Sequence, residues 1–563
     1  MEKVLSILDD ELRIMKKEDF TYLKRNNIIK ELKDNTFDLV VVGGGITGAG
    51  ILLDASSRGM KVALIEKGDF ASGTSSKSSK LIHGGLRYLK QFELSLVKEV
   101  GTERAIVHKI APHLVIPEKM LLPLIENGSY GEWMTSIGLK VYDILAHVVE
   151  EDRRKMMNKE ETMELEPLLP EKILKGSGYY AEYRTDDARL TLENVKTALK
   201  YGGTPINYTK VNDFIYTNEQ ISGVKVTDSL SGESYNIKSK FVINAAGPWV
   251  DELREANHSK QGKELHLTKG VHLVFPKEKL PLKQSVYFDI PDGRMMFAIP
   301  RGNVTYAGTT DTNYTLSKDD VRTTVEYADY LLDAINNMFP SVNLERKDIV
   351  SSWAGLRPLI HEEGKSPSEL SRKDEIFISD SGLLSMAGGK LTGYRKMAER
   401  VVDKLQKKLE NQSKVKFKKV FTDEISLVGG PWKKYKEVKK YIQKIHNRLK
   451  EDFFDEHEAW YLVTTYGKQT ETILKIYNTM PGETNAERML MSELEFCIYN
   501  EMIVTPSDFI IRSTGRLYFN IESVAEYMGV VLEKFKLVYD LSDETIAKYK
   551  ANLVSDIIKH SKF

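Results

Sequence analysis

Asp38 to Val42 is a short apolar run that ends in three glycines, Gly43, Gly44 and Gly45, and Ile46 to Ser57 follows it with helical composition. Lys61 to Glu66 is the next strand-like run. Strand, glycine turn, helix and strand predict a βαβ unit with parallel strands and a right-handed crossover. From about 170 to 345 the chain changes to short β-branched and aromatic runs: Ile221 to Thr227, Tyr235 to Ile243, His272 to Phe275, Met295 to Ile299 and Val304 to Thr309. Turns at Ser231-Gly232, Asp292-Gly293 and Arg301-Gly302-Asn303 separate them, so an antiparallel sheet is expected there. Ahead of the first strand, residues 1 to about 36 carry Leu5, Leu8, Leu12 and Met15 at helical spacing among charges. Beyond Gly389 the pattern predicts helix to about 410, then a lysine-rich stretch (Lys414, Lys416, Lys418, Lys419) and a mostly helical remainder. A boundary is expected near 415.

Composition narrows the class of protein. A chain of 563 residues has room for two to four structural units, and 41% hydrophobic with 29% charged residues is ordinary for a globular protein. Eighty-one basic against eighty-one acidic residues leave no overall attraction to nucleic acid. Cys497 is the single cysteine, which excludes an intrachain disulfide and a CxxC metal site and suits a reducing, cytoplasmic compartment. No metal site is expected. Glu2, Lys3, Asp9 and Asp10 leave no apolar signal-peptide core to read, and the apolar stretch Leu39 to Leu53 is too short and glycine-rich to span a bilayer. A membrane, if the protein meets one, is met from its surface.

Gly43, Gly45 and Gly48 form GxGxxG at the strand-to-helix turn, and Glu66 ends the following strand. The first glycine permits the tight turn, the second lets backbone approach a pyrophosphate, and the third allows close contact of helix and strand. The helix N-terminus offers N–H groups to phosphates, and the Glu66 carboxylate accepts hydrogen bonds from a ribose. A glycine-rich turn without a ligand is the bland alternative, and the motif alone admits either NAD or FAD. Two further segments suit backbone passing close to a cofactor: the hydroxyl-rich GDFASGTSSKSS at 68–79 and FVINAAG at 241–247, which ends in small residues.

Five segments resemble the FAD-dependent, respiratory-type glycerol-3-phosphate dehydrogenases within the D-amino-acid-oxidase-like flavoproteins. They are VVGGGITGAG (41–50), SSKLIHGGLRYL (78–89), INAAGPW (243–249), AGLRP (354–358) and AGGKLTGYRKMAE (387–399), in order over nearly the whole chain. HGGLRYL and GGKLTGYRKMAE are the more specific. The resemblance implies an α/β fold: a Rossmann-type FAD-binding domain over 37–105, 170–265 and 345–410, an antiparallel substrate-binding cap over 106–169 and 266–344, an N-terminal helical extension over 1–36 and a helical C-terminal domain over 415–563. It implies oxidation of sn-glycerol 3-phosphate at C2 to dihydroxyacetone phosphate, with hydride passing to flavin N5 and electrons to a membrane quinone. The alternative is a glycerophosphate oxidase that uses oxygen and yields hydrogen peroxide. The implied cofactor contacts are Gly43, Gly45, Ile46, Thr47, Gly48, Glu66, Lys67, Ser72, Thr74, Ser75, Ser79, Lys80, Leu81, Gly84, Gly85, Val211, Ala245, Ala246, Gly247, Gly389, Lys390, Leu391 and Thr392.

A phosphate monoester needs cationic donors, and arginine's planar fork pairs two oxygens at once. Arg87, Arg357 and Lys390 stand in the motifs, Arg294 and Arg372 lie in segments that look aligned with substrate-contacting stretches, and Tyr88 adds a hydroxyl or simply packs its ring. For each arginine the bland alternative is an ordinary ion pair. Removing hydride from C2 requires a group that takes the hydroxyl proton or stabilises the alkoxide. His83 and His272 are the histidines in family-like segments. His272 reads as the base or, at the start of a strand, as a structural histidine; Arg357 is the competing cation. Gly388 and Gly389 with Lys390 open a helix near Leu391, whose N-terminus suits the flavin N1 and C2 carbonyl.

Residues 432–450 place Tyr435, Val438, Ile442, Ile445 and Leu449 on one helical stripe with lysines and Arg448 elsewhere. Such a helix either rests on anionic lipid, at the inner face of the cytoplasmic membrane where quinone is reached, or packs its stripe into the protein with a solvated basic face. Covering the substrate domain, touching a membrane and forming a homodimer are all compatible with the amphipathic C-terminal helices.

Overall fold

The computed structural model describes residues 20–83, 94–126, 128, 154–290, 292–361, 374–413 and 415–563. Thr36–Val42 forms the centre of an eight-stranded sheet. It pairs in parallel with Ser234–Asn244 on one side and Val62–Ile65 on the other, Val42 lying opposite Asn244 and Ile65. Thr204–Ile206 and Leu384–Gly388 extend the parallel core outward, and Asp374–Ile378 closes one edge antiparallel. Every residue of Val62–Ile65 is buried, as a strand covered on both faces requires. Ile46–Ser57 is buried nearly all round because the helices Asp187–Leu199 and Tyr394–Ser413 pack on it. Gly50 makes room for the Tyr394 ring, and Asn194 Nδ2 donates to the Tyr394 hydroxyl at 3.1 Å.

A ten-stranded sheet forms the second layer, antiparallel except where Ser285–Asp289 runs parallel to Ile116–Ile125. Strand pairing in this sheet runs across the expected domain bounds. Leu81–Ile82, Leu174–Arg184 and Ser351–Ile360, expected in the nucleotide domain, hydrogen-bond into this second sheet. Ser351–Ile360 does so along its whole length against Leu265–Pro276, a pairing of distant segments that composition does not encode. His272 is likewise in the middle of the twelve-residue strand Leu265–Pro276, not at a strand start.

The region from Tyr435 to Ser561 is helical. Val438, Ile442, Ile445 and Leu449 of the basic helix Tyr435–Leu449 are buried, and the helix packs against Glu456–Tyr466. Its apolar stripe is therefore spent inside the protein, and only the basic face remains outward. No helix among the described residues is long and apolar enough to cross a membrane. The amphipathic segment at Leu5 to Met15 and Lys414 lie outside the described residues; the described chain opens with a short turn and the helix Arg25–Asp34.

Buried charge ties the helical region to the nucleotide half. Arg189, on Asp187–Leu199, donates to both carboxylate oxygens of Glu501 at 2.6 and 2.8 Å, and Lys196 adds a third bond at 2.9 Å. Burial alone would raise the Glu501 carboxyl; Arg189 and Lys196 override it and hold the group well below the usual carboxylate range. Its contribution to stability is complete above the unfolded carboxylate pKa and is lost as pH falls below that value. Arg189→Met leaves this fully buried carboxylate with Lys196 and the weak thiol donor of Cys497. The expected loss is about 3–5 kcal/mol, read as a fall in the urea midpoint at neutral pH.

Candidate active site

The carboxyl ends of the parallel strands open into a cleft of about 440 Å³, at the edge where α/β sheets bind ligands. Gly43, Gly45, Ile46 and Thr47 form its floor at the N-terminus of Ile46–Ser57. Gly43 has φ +112°, and a Cβ there would lie 2.5 Å from the Ala245 carbonyl oxygen. Gly48 sits behind the floor, where a Cβ would meet the Gly43 carbonyl oxygen at 1.8 Å. Ser75 Oγ accepts from Ile46 N at 2.9 Å and so fixes the helix entry. Glu66 accepts from Gly44 N at 2.6 Å and from Gly68 N at 2.8 Å. Burial raises its carboxyl, and these backbone donors pull the other way.

Ser72 and Thr74 continue one wall, Ala245, Ala246 and Gly247 another, and Val211 closes a side with Thr209, Lys210 and Asn212. The turn Gly388-Gly389 carries Lys390 and Leu391 into the lining, followed by the short turn Leu391–Gly393 and the helix Tyr394–Ser413. Lys67 lines the cleft with its ammonium 4.1 Å from the Trp249 ring.

Other expected contacts stand behind the lining. Lys80 is buried, 2.6 Å from Asp187 Oδ1 and 3.2 Å from the Ser76 carbonyl, beneath the rings of Trp353, Tyr518 and Phe519. Its partners Asp187 and, through the Lys80 backbone N–H, Ser78 line the cleft. Ser79 shares a hydrogen bond with His272, Leu81 is buried in its strand, and Thr392 Oγ1 donates to the His83 carbonyl at 3.2 Å. Gly84, Gly85, Arg87, Tyr88 and Arg372 lie outside the described residues.

The histidines separate. His272 is 1% exposed, 2.9 Å from Ser79 Oγ, stacked 4.8 Å from Trp353, and absent from the cleft lining. Burial first, then Arg357 and Lys80, push its pKa well below 6.5, so it is neutral at physiological pH. The structure places the His272 ring within the second sheet, behind the cleft lining, against Ser79 and Trp353. His83 follows the strand Leu81–Ile82 and is bridged through its carbonyl to the turn that carries Lys390.

Arg357 stands next to Pro358, which lines the cleft. Its Nη1 donates to Thr310 O at 2.8 Å and to Asp311 Oδ1 at 3.2 Å, and Nη2 donates to Thr309 Oγ1 at 2.8 Å. The guanidinium fits because Gly270 on the neighbouring strand has no side chain; a Cβ there would lie 2.3 Å from Nη2. Arg294 is elsewhere. It donates to Asp292 at 2.9 and 2.5 Å, stacks on Tyr330, and does not line the cleft, because its hairpin tip holds it in a local ion pair.

Sequence reasoning missed Trp249, Pro358, Asp187, Met386 and Asp319, all of which line the cleft. Trp249 and Pro358 stood inside the quoted INAAGPW and AGLRP segments, so a signal existed for them. Asp319 lies in an irregular loop with no motif.

A glycine cradle at a helix N-terminus, an acid closing the second strand and a buried Trp249 Nε1 without a protein partner among the described residues fit a dinucleotide. Fold and site together define a flavoprotein oxidoreductase: the FAD-dependent oxidoreductase family matches residues 38–395, and the C-terminal domain of alpha-glycerophosphate oxidase matches 420–546. The aerobic glycerol-3-phosphate dehydrogenase of Bacillus subtilis is 48% identical over 96% of this chain and 98% of its own, and that of Staphylococcus saprophyticus is 52% identical over 91% and 92%. The crystal structure of the Bacillus halodurans glycerol-3-phosphate dehydrogenase complexed with FAD superimposes with a TM-score of 0.82, at 41% identity over 96% of this chain and 99% of that one. The chain belongs to the aerobic glycerol-3-phosphate dehydrogenase family, and its cofactor is FAD. The L-alpha-glycerophosphate oxidase of Mycoplasma pneumoniae, 21% identical with a TM-score of 0.55, shares the fold.

Proposed function

We propose that this chain oxidises sn-glycerol 3-phosphate at C2 to dihydroxyacetone phosphate and passes the electrons to a membrane quinone. The observation that carries the reading is the presence of Lys390 in the lining and Arg357 beside it, on the cleft that holds the glycine cradle. Bound FAD supplies the two-electron acceptor for the alcohol. The amides at the start of Ile46–Ser57 and the carboxylate of Glu66 would hold its pyrophosphate and ribose, and the turn Leu391–Gly393 with Lys390 would direct positive potential at the ring end. Arg357, with Arg87, Tyr88 and Arg372 by resemblance, would bind the phosphate. His83 would take the C2 hydroxyl proton, since of the two motif histidines it is the one bridged to the Lys390 turn.

A quinone acceptor is favoured because the relatives at 48% and 52% identity are named dehydrogenases. The outward basic face of Tyr435–Leu449 suits peripheral contact with anionic lipid at the inner face of the cytoplasmic membrane, without an inserted apolar stripe. Anaerobic mixing with sn-glycerol 3-phosphate is expected to bleach the visible flavin band, and a soluble quinone is expected to restore it far faster than oxygen. Equal recovery in oxygen with hydrogen peroxide formed would make the enzyme an oxidase; no bleaching would refute both readings.

A further inference from the structure

The chain between the short strand Thr312–Asn313 and the helix Val325–Met338 leaves the second sheet and crosses to the nucleotide half. Its root is fixed to the sheet. Tyr314 N donates to Leu267 O at 2.9 Å, and Lys269 Nζ donates to Arg322 O at 3.1 Å. Its tip has no such anchorage: no residue from 311 to 320 is buried, and Leu316 is 74% exposed. Charge fastens the tip instead. Asp319 meets Lys67 at 2.8 Å, Lys318 meets Glu252 at 2.7 Å, and Asp320 meets Lys559 at 2.7 Å. The partners stand on different parts of the fold: the loop after Val62–Ile65, the helix Val250–Ala256 and the C-terminal helix Asp543–Ser561.

Lys67, Glu252 and Asp319 also line the cleft, at the end marked by Glu66 and Trp249. We propose that residues 315–320 are a strap that closes the adenosine end of the cleft and sets how fast FAD leaves, with Lys67, Lys318 and Lys559 as its fastenings. This rests on the placement of FAD given above. Residues 315–320, between Tyr314 and the buried Val321, are held by exposed ion pairs with no buried residue among them, so they open locally at low cost, and salt weakens each fastening. The Lys67 ammonium, lying over Trp249 and paired to Asp319, joins strap to cleft wall at the point where the strap crosses.

The test uses the holoenzyme, with flavin release followed as the return of free-flavin fluorescence after dilution. Severing two fastenings by Lys318→Met with Asp319→Asn is expected to speed release about 5- to 25-fold at low ionic strength. The difference is expected to shrink several-fold at about 0.5 M salt. Lys318→Glu is expected to release fast, and Lys318→Glu with Glu252→Lys to return toward the parent rate. Parent-like release from the double variant at low salt, or a gain that neither salt nor the charge swap alters, would overturn the strap. Glu66→Gln separates this from the placement: if it speeds release while the strap variants do not, the strap alone fails. If it too leaves release unchanged, the placement fails and the strap with it.

Discussion

Arg357→Met should lower kcat/KM for sn-glycerol 3-phosphate by about 10³-fold while the enzyme keeps its flavin, measured by steady-state turnover of protein matched for visible absorbance. The argument begins with position. Arg357 lies one residue before Pro358 of the cleft lining, and its guanidinium is held by the consecutive residues Thr309, Thr310 and Asp311. The slot it occupies exists because Gly270 on the neighbouring strand has no side chain, with Thr268 opposite Arg357 in the register. A cation so placed is oriented before substrate arrives, which is how a charged donor acts without reorganising. Arg357→Lys keeps the charge but loses the fork, so an intermediate loss of about 10- to 100-fold is expected. A guanidinium serving only to fix the loop at 309–311 would show otherwise: Lys and Met variants would lose activity equally, and flavin content would fall with it.

The nucleotide cradle was legible because its determinants are local. Three glycines at fixed spacing, a strand before and a strand after, and Glu66 at the end of the second strand suffice to place cradle and acid on one edge. The flanking residues of INAAG and AGGK were legible for the same reason: each joins a strand end to a turn. His272 was not. Within a strand, which face a side chain takes depends on register against strands far away in the chain, and here the ring faces Trp353 and Ser79. The placement of Lys80 was likewise not legible: its ammonium is held by Asp187, which lines the cleft.

The basic helix shows a different limit. A stripe of Val438, Ile442, Ile445 and Leu449 reads the same whether the apolar partner is lipid or protein, and only the packing of Glu456–Tyr466 against it decides. The loop that carries Asp319 has neither periodicity nor motif, so its crossing to the cleft follows from three long-range ion pairs that sequence reading had no means to pair.

Gly43→Ala and Gly48→Ala should each yield protein that binds FAD about 10²–10³-fold more weakly, measured by fluorescence titration of the flavin-stripped chain. Two separate costs apply at Gly43. Its φ of +112° is strained for any residue with a Cβ, and the new methyl group would lie 2.5 Å from the carbonyl oxygen of Ala245, the residue that follows a strand paired on both sides. Neither partner can yield without shifting the edge that supports Ala246 and Gly247 in the lining. Gly48 has no positive φ, so its cost is contact alone, at 1.8 Å from the Gly43 carbonyl oxygen. Relief there means lifting the helix Ile46–Ser57 from the turn and moving its N-terminal amides away from the phosphates. Gly59→Ala separates the two causes, because Gly59 has φ +97° but nothing within 4 Å of a built Cβ. That variant should lose about 1 kcal/mol of stability and bind FAD as the parent does. If Gly59→Ala weakened FAD as much as Gly43→Ala, general destabilisation would explain both, and the cradle would lose its special role.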